Sequence, residues 1–251
     1  MNPFGATRAA IAFLTRVPVG NAPIAEKHIA WAPAMFPIVG ALLGALSFLL
    51  FTALSGLNPW VRAIAVTAFG VYVTGAFHED GLADTADALG GLVSKERALE
   101  ILKDSRIGSY GTCALTLALL LRVALIAELG TQSMVAFVVY GSIARLAPLW
   151  LMTHLPHANP NQGKIKDLQQ VGPSRAYVGT LLSASICVAS ALLVRGFEYR
   201  LTIAFAVTAL TALWFGRLAH RRLGGITGDL LGASEQIAEL LILSTFAWQV
   251  S

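Results

Sequence analysis

Seven stretches of about 18 to 23 residues dominate this chain, each with no more than two charged side chains. They cover about 32–54, 59–77, 109–129, 132–152, 176–194, 201–219 and 233–250. Each approaches the roughly 20 residues a helix needs to cross hydrocarbon. Such a pattern admits few folds, because backbone polar groups in lipid must be satisfied within the segment or a closed barrel. The expectation is all-α: a polytopic membrane helical bundle of about seven transmembrane helices, forming one domain over 1–251. Composition agrees. The chain is 56% hydrophobic and 13% charged, with a mean hydropathy of +0.67, where soluble proteins average about 25% charged. The last stretch is the shortest and carries Glu235 and Glu239. Segment 4–16 is amphipathic and expected at the interface. Its apolar run, 9–14, is too short for a secretory signal and is followed by Arg16. Cys113 and Cys187 lie in apolar runs and read as buried, inert thiols.

Basic residues orient the bundle. With the N-terminus in the cytoplasm, thirteen of the eighteen Lys and Arg fall inside, among them Arg8, Arg16, Lys27, Lys95, Arg97, Lys103, Arg106, Lys164, Lys166 and Arg175. Arg195, Arg200 and Arg62 fall at the outside, and Arg122 and Arg145 within the membrane. Thirteen against three is a positive-inside bias. The net charge of +4 comes with no basic stripe interleaved with aromatics, so nucleic acid is not an expected partner. In this orientation three polar connections, about 78–108, 153–175 and 217–232, face the cytoplasm. They and the adjoining helix ends hold the chemistry-bearing residues.

The first connection is an acidic island. Seven of fourteen acidic residues lie between Glu79 and Asp104. Asp80, Asp84 and Asp87 are spaced i, i+4, i+7, within roughly 60° of each other on a helix. Three carboxylates on one face repel, and a divalent cation with a preference for hard oxygen ligands, Mg²⁺, relieves them. A solvated acidic face is the ordinary alternative, but Leu82, Ala83, Ala86, Ala88 and Leu89 interleave the acids. His78 stands beside them, either at a site or at the interface. The run Lys103-Asp104-Ser105-Arg106-Ile107-Gly108-Ser109-Tyr110-Gly111 offers Lys103 and Arg106 to phosphate oxygens. A plain helix entry with interface charges is an equal alternative.

The second connection is rich in turn residues and carries Lys164 and Lys166, for an anionic substrate or for interface anchoring. His154 and His157 are separated by Pro156, which favours loop polarity over metal ligation. The third reads Gly224-Gly225-Ile226-Thr227-Gly228-Asp229, then a helix with Glu235 and Glu239. Acids inside a membrane are costly and by default functional. Arg145 is their partner or a phosphate contact, and Arg122 plays the same part or snorkels. Gly40 and Gly44 form a GxxxG that permits close helix packing. Acids from two separate connections, with Arg and Lys, suggest metal-assisted chemistry on a phosphate ester or diphosphate. No Walker-type loop is present.

At these residues the chain closely resembles the cobalamin synthase family, the adenosylcobinamide-GDP ribazoletransferases. The resemblance rests on Phe-Leu-Thr-Arg-Val-Pro (13–18), Phe-Pro-Ile-Val-Gly (36–40), Phe-His-Glu-Asp-Gly-Leu-Ala-Asp-Thr-Ala-Asp (77–87), Lys-Asp-Ser-Arg-Ile-Gly-Ser-Tyr-Gly (103–111) and Gly-Gly-Ile-Thr-Gly-Asp-Leu-Leu-Gly-Ala (224–233). It implies an integral transferase of the bacterial-type cell (inner) membrane, with its site facing the cytoplasm. A hydroxyl of α-ribazole, or of its 5′-phosphate, attacks adenosylcobinamide-GDP, and GMP leaves, with Mg²⁺ as cofactor. On that basis Asp80, Asp84 and Asp87 are expected to hold Mg²⁺ on the diphosphate. Asp229 and Glu239 complete the catalytic set with Asp80 and Asp84, and one of them assists deprotonation of the hydroxyl. Lys103, Arg106 and Arg145 are expected on phosphate oxygens, with His78 and Lys164 as further substrate contacts. The expected partners are the two substrates and membrane lipid, and a homo-oligomer is compatible. Two departures stand out. Ala144 precedes Arg145 where the family often has Ser. Gln236 stands where the family usually has Glu, with Glu235 one residue early, about 100° away on a helix. Gln236 is therefore expected to face inward in place of that acid.

Two rival readings remain at this level. A CDP-alcohol-type lipid phosphotransferase also joins membrane helices to an Asp cluster, but its glycine placement and Ala-Arg are missing. An acid-lined cation or proton transporter should carry acids near the midplane beside broken helices. Here most acids are expected at the cytoplasmic edge.

Overall fold

The computed structural model describes residues 2–129, 133–158, 171–193 and 198–248. Among them the helices are α1 (Pro3–Leu14), α2 (Glu26–Ala53), α3 (Pro59–Thr74), α4 (Phe77–Leu89), α5 (Lys95–Ile101), α6 (Ser109–Glu128), α7 (Ser133–Ile143), α8 (Leu146–His154), α9 (Pro173–Leu193), α10 (Glu198–Leu223) and α11 (Gly228–Ala247). The fold is the expected all-α polytopic bundle. Six helical stretches are long and apolar enough to cross a membrane: α2, α6, α7 with α8, α9, α10 and α11. A seventh crossing exists only if α3 and α4 count together, and they meet at 88°. Apolar side chains cover much of the outer surface, such as Leu49, Leu117, Leu120, Val188, Leu192 and Leu210. That surface suits lipid rather than water.

Local chemistry fixes the ends. Asn58 accepts a hydrogen bond from the Trp60 N–H at 2.9 Å, and Pro59 opens α3 where no donor is needed. Thr227 caps α11 through the Leu230 N–H at 3.3 Å. Segment 4–16 is indeed helical, as α1. Pro33 and Pro37 sit inside α2 without ending it. Gly40 and Gly44 face α7, and a Cβ at either would run into the Gly141 or Phe137 carbonyl, so the GxxxG brings two backbones into contact.

The expected single span 59–77 is instead a broken one. Gly75 (φ 71°) and Ala76 (φ 57°) are both left-handed, which stops α3 and turns the chain into α4. From there α4 runs back along α6 and α11. Its first residues meet the middle of those helices (Glu79 with Arg122, His78 with Glu235), and further along it reaches their starts, Gly81 that of α11 at Asp229 and Asp87 that of α6 at Gly108. Gly81 makes this close approach possible, since a Cβ there would lie 2.7 Å from the Asp229 carbonyl oxygen. The connection 78–108 is thus packed helix rather than loop over much of its length. A second break, at Ala144 and Arg145, separates α7 from α8. Two smaller expectations change. Cys113 is exposed on α6, while Cys187 is buried. Arg200 turns inward and donates to the Phe246 carbonyl (2.5 Å) and the Trp248 carbonyl (3.0 Å) at the end of α11.

Candidate active site

The acidic edge and a buried ion network are stacked along α4 and α11. At the edge, Asp80 is exposed, and Asp84, Asp87 and Asp229 are half-buried. Asp84 feels the charges of Asp80, Asp229 and Asp87. Residues 145 positions apart in sequence therefore share one patch of negative potential. A short parallel pairing presents Asp229: Ile226 N–H donates to the Pro156 carbonyl (2.9 Å), and Ala158 N–H to the Ile226 carbonyl (2.8 Å). A Cβ at Gly225 would sit 2.5 Å from the Pro156 oxygen, which is why this turn needs glycine. The second and third connections are thus tied together under the edge.

Asp87 has a job of its own. Its Oδ2 accepts from the Gly108 N–H at 2.7 Å and its Oδ1 from the Gly111 N–H at 2.8 Å. Gly108 is the N-cap of α6 and has no side chain to offer. Asp87 supplies the missing cap from 21 residues away. A negative charge there also complements the helix dipole. A Cβ at Gly108 would lie 2.5 Å from that carboxylate, so the Gly-rich run 108–111 is explained by the cap.

Beside the edge, Lys103 is exposed, and Arg106 folds onto Asp104 with Nε–Oδ1 of 2.9 Å and Nη2–Oδ2 of 2.6 Å. Those hydrogen bonds hold the Asp104 carboxyl down to about 2. Lys95 is a residue that sequence reasoning missed as a site candidate. Its Nζ lies against Gly224 (φ 73°), in the turn ahead of Asp229. Its charge alone could not separate it from other cytoplasmic basic residues. Lys164 lies outside the described residues, as does Lys166.

Below the edge, His78, Glu79, Arg122, Arg145, Glu235, Gln236 and Glu239 are all buried. Arg122 donates to Glu79 (3.1 Å), to the Gln236 side-chain oxygen (2.7 Å) and to Glu239 (2.7 Å). Arg145 pairs with Glu239 and lies 2.8 Å from Glu235. His78 Nδ1 is 3.5 Å from Glu235, and Gln236 donates to Glu235 at 3.1 Å. Both Glu235 and Gln236 therefore face inward. Gln236 faces inward as expected, and Glu235 does so as well, because α11 is enclosed on several sides, by α4 and α6 as well as α7 and α8, so a rotation of about 100° still ends inside. Glu239 and Arg145 stand together in this network, and His78 is beneath α4 instead of on the open face. Glu79 and Arg122 are the network's other anchors. The spacing of the acids singled out neither.

The network borders a small cavity of about 40 Å³ lined by Ser47, Thr67, Glu79, Tyr140 and Glu239, among others. Thr67 Oγ1, Glu79 Oε2, Arg122 Nε and Arg145 Nε have no hydrogen-bond partner among the described residues. The space is large enough for water, which satisfies groups of this kind.

The donor chemistry of the edge suits a hard divalent cation, yet among the described residues no three His, Cys, Asp or Glu side chains converge to hold one by themselves. One or two carboxylates suffice for Mg²⁺ only when other oxygens, such as phosphates, complete its shell.

The family model described as cobalamin-5-phosphate synthase matches residues 6–247. The chain is 36% identical to the adenosylcobinamide-GDP ribazoletransferase of Polaromonas sp., over 92% of both chains. It is 38% identical to that of Bradyrhizobium diazoefficiens, over 94% of this chain and 90% of the relative. For that of Azorhizobium caulinodans the figures are 39%, 94% and 92%. No solved structure matches the chain.

Proposed function

Since the chain belongs to the cobalamin-5-phosphate synthase family, we propose that it joins adenosylcobinamide-GDP to α-ribazole, or to α-ribazole 5′-phosphate, and releases GMP. In this reading a ribazole hydroxyl oxygen forms a bond to the cobinamide-side phosphorus of the diphosphate. The bond from that phosphorus to the GMP oxygen breaks, and the hydroxyl proton passes to a carboxylate of the edge. The observation that carries the reading is the edge itself. Aspartates from two distant parts of the chain, on α4 and α11, are gathered at one end of a membrane bundle.

Asp80 and Asp84 would hold Mg²⁺, which would offset charge on the diphosphate and on the departing GMP. Lys95, Lys103 and Arg106 would meet phosphate oxygens. Arg106 does so by leaving Asp104, and as a fork it grips two oxygens at once. Asp229 is the favoured base, since it ends the glycine turn at the mouth of the edge. Glu239 and Arg145 act through the network, which fixes α4 against α11 and so sets the spacing between Asp84 and Asp229. The site is proposed to face the cytoplasm across a cell inner membrane, on the thirteen-to-three bias of basic residues.

The test is direct. Purified protein in nanodiscs, given adenosylcobinamide-GDP, α-ribazole and Mg²⁺, should release GMP in step with cobalamin formation. No product from folded protein would end the proposal. One observation favours the transport reading: a broken span flanked by three buried acids, Glu79, Glu235 and Glu239. Arg122 and Arg145 neutralise most of that charge, which argues for a fixed network over an ion path. Proton or cation flux in protein-loaded vesicles would revive the alternative.

A further inference from the structure

Away from the acidic edge, α8 and α10 leave between them an open groove of about 730 Å³. Its walls are one face of each helix. Trp150 and Leu155 line it from α8, and Ala209, Leu213 and Gly216 from α10. Where α10 nears its C-terminus the lining changes abruptly to Arg217, His220 and Arg221. These three are exposed, and neither arginine makes an ion pair among the described residues. The neighbouring Arg222 behaves differently, since it is committed to the Gly91 carbonyl at 2.8 Å.

The order of the lining is informative. Both walls belong to stretches long and apolar enough to span a membrane, so the groove's apolar body lies at hydrocarbon depth. Its basic end falls where the helix leaves it. An acyl chain fills the first part, and a phosphate fits the second. Basic residues that merely satisfied the positive-inside rule or the helix dipole would need no groove beneath them. Basic pockets between transmembrane helices at the positive side of a membrane bind anionic head groups. We infer that this groove is a binding site for an anionic phospholipid, with its acyl chain between α8 and α10 and its phosphate held by Arg217 and Arg221.

None of the residues assigned to the diphosphate chemistry lines the groove, so its test does not depend on the proposed reaction. The probe is phosphatidylglycerol. Protein is released from phosphatidylcholine nanodiscs doped with phosphatidylglycerol, and the retained lipid is read by native mass spectrometry. Phosphatidylglycerol should be retained in preference to phosphatidylcholine. The R217Q/R221Q double variant should lower its retention about thirtyfold, from about 1 kcal/mol of attraction for anionic lipid per basic residue. Gly216→Trp tests the apolar half with both arginines intact. A Cβ there meets only the terminal methyls of Leu151 (3.3 Å) and Leu155 (3.6 Å). The helix should therefore tolerate the ring, and the ring should displace the chain. Glycerol phosphate, which has the head group and no tail, should not compete. Wild-type melting of each variant shows that loss of lipid is not loss of fold. Equal retention of the two lipids would overturn the inference. So would undiminished phosphatidylglycerol in the double variant, or displacement by glycerol phosphate.

Discussion

Asp84 and Asp87 are three residues apart on one helix and do different work. Asp84 feels the charges of Asp80 and Asp229, while Asp87 binds two backbone N–H groups. Asp84→Asn and Asp229→Asn should therefore lower kcat by about two orders of magnitude with unchanged melting, the usual scale for a lost catalytic carboxylate. Asp87→Ala should instead lower stability by about 1 kcal/mol, the typical cost of a lost helix cap. Melting in detergent together with GMP release separates the two behaviours, and a stable but inactive Asp87→Ala would assign Asp87 to the chemistry. Arg106 gives a second residue-level test. Asp104 competes with any phosphate for its guanidinium. With the Asp104 carboxyl held down to about 2, its ionised form is lost only as pH falls through that value. The clamp is thus intact throughout the neutral range. Asp104→Asn should lower KM for adenosylcobinamide-GDP to the same degree at pH 6 and pH 8. A raised KM would mean that Asp104 positions Arg106 for the substrate.

The α4–α11 pair is the element on which the site depends. Its close approach rests on Gly81 and Gly232, and its register on the buried ions beneath. Removing one partner from a buried ion pair costs about 3–5 kcal/mol, because the other charge is left unpaired. Arg122→Met and Glu239→Leu should each destabilise the protein on that scale. The double variant should fall short of the summed losses, since the paired charges go together and only Glu79 is left without Arg122. A double-mutant cycle by thermal or denaturant unfolding measures this, and strictly additive losses would show that the pair is not coupled. Gly81→Leu should abolish folding or activity outright, for no rotamer can move its Cβ away from the Asp229 carbonyl.

For the molecule as a whole, the charge bias places Ser94 inside and Gly56 outside. With the exposed Cys113 first replaced, Gly56→Cys should react with a membrane-impermeant maleimide in intact cells, and Ser94→Cys only after lysis. The reverse would invert the bundle and move the acidic edge to the other side of the membrane.

Hydrophobic run length by itself determined the all-α membrane class and nearly every crossing, since lipid tolerates so few backbone solutions. The spacing of Asp80 and Asp84, and the glycine turn before Asp229, marked the edge before any geometry was known. Three things needed the tertiary structure. The break at Gly75 and Ala76 was hidden because Ala in a left-handed conformation leaves no trace in composition. Asp87's role as a cap depends on Gly108, a partner that local spacing cannot bring to it. The pairing of Arg122 with Glu79 and Glu239 spans 43 and 117 residues of sequence. Helical periodicity shows which residues share a face but not which face of another helix it meets, and here packing around α11 made that choice.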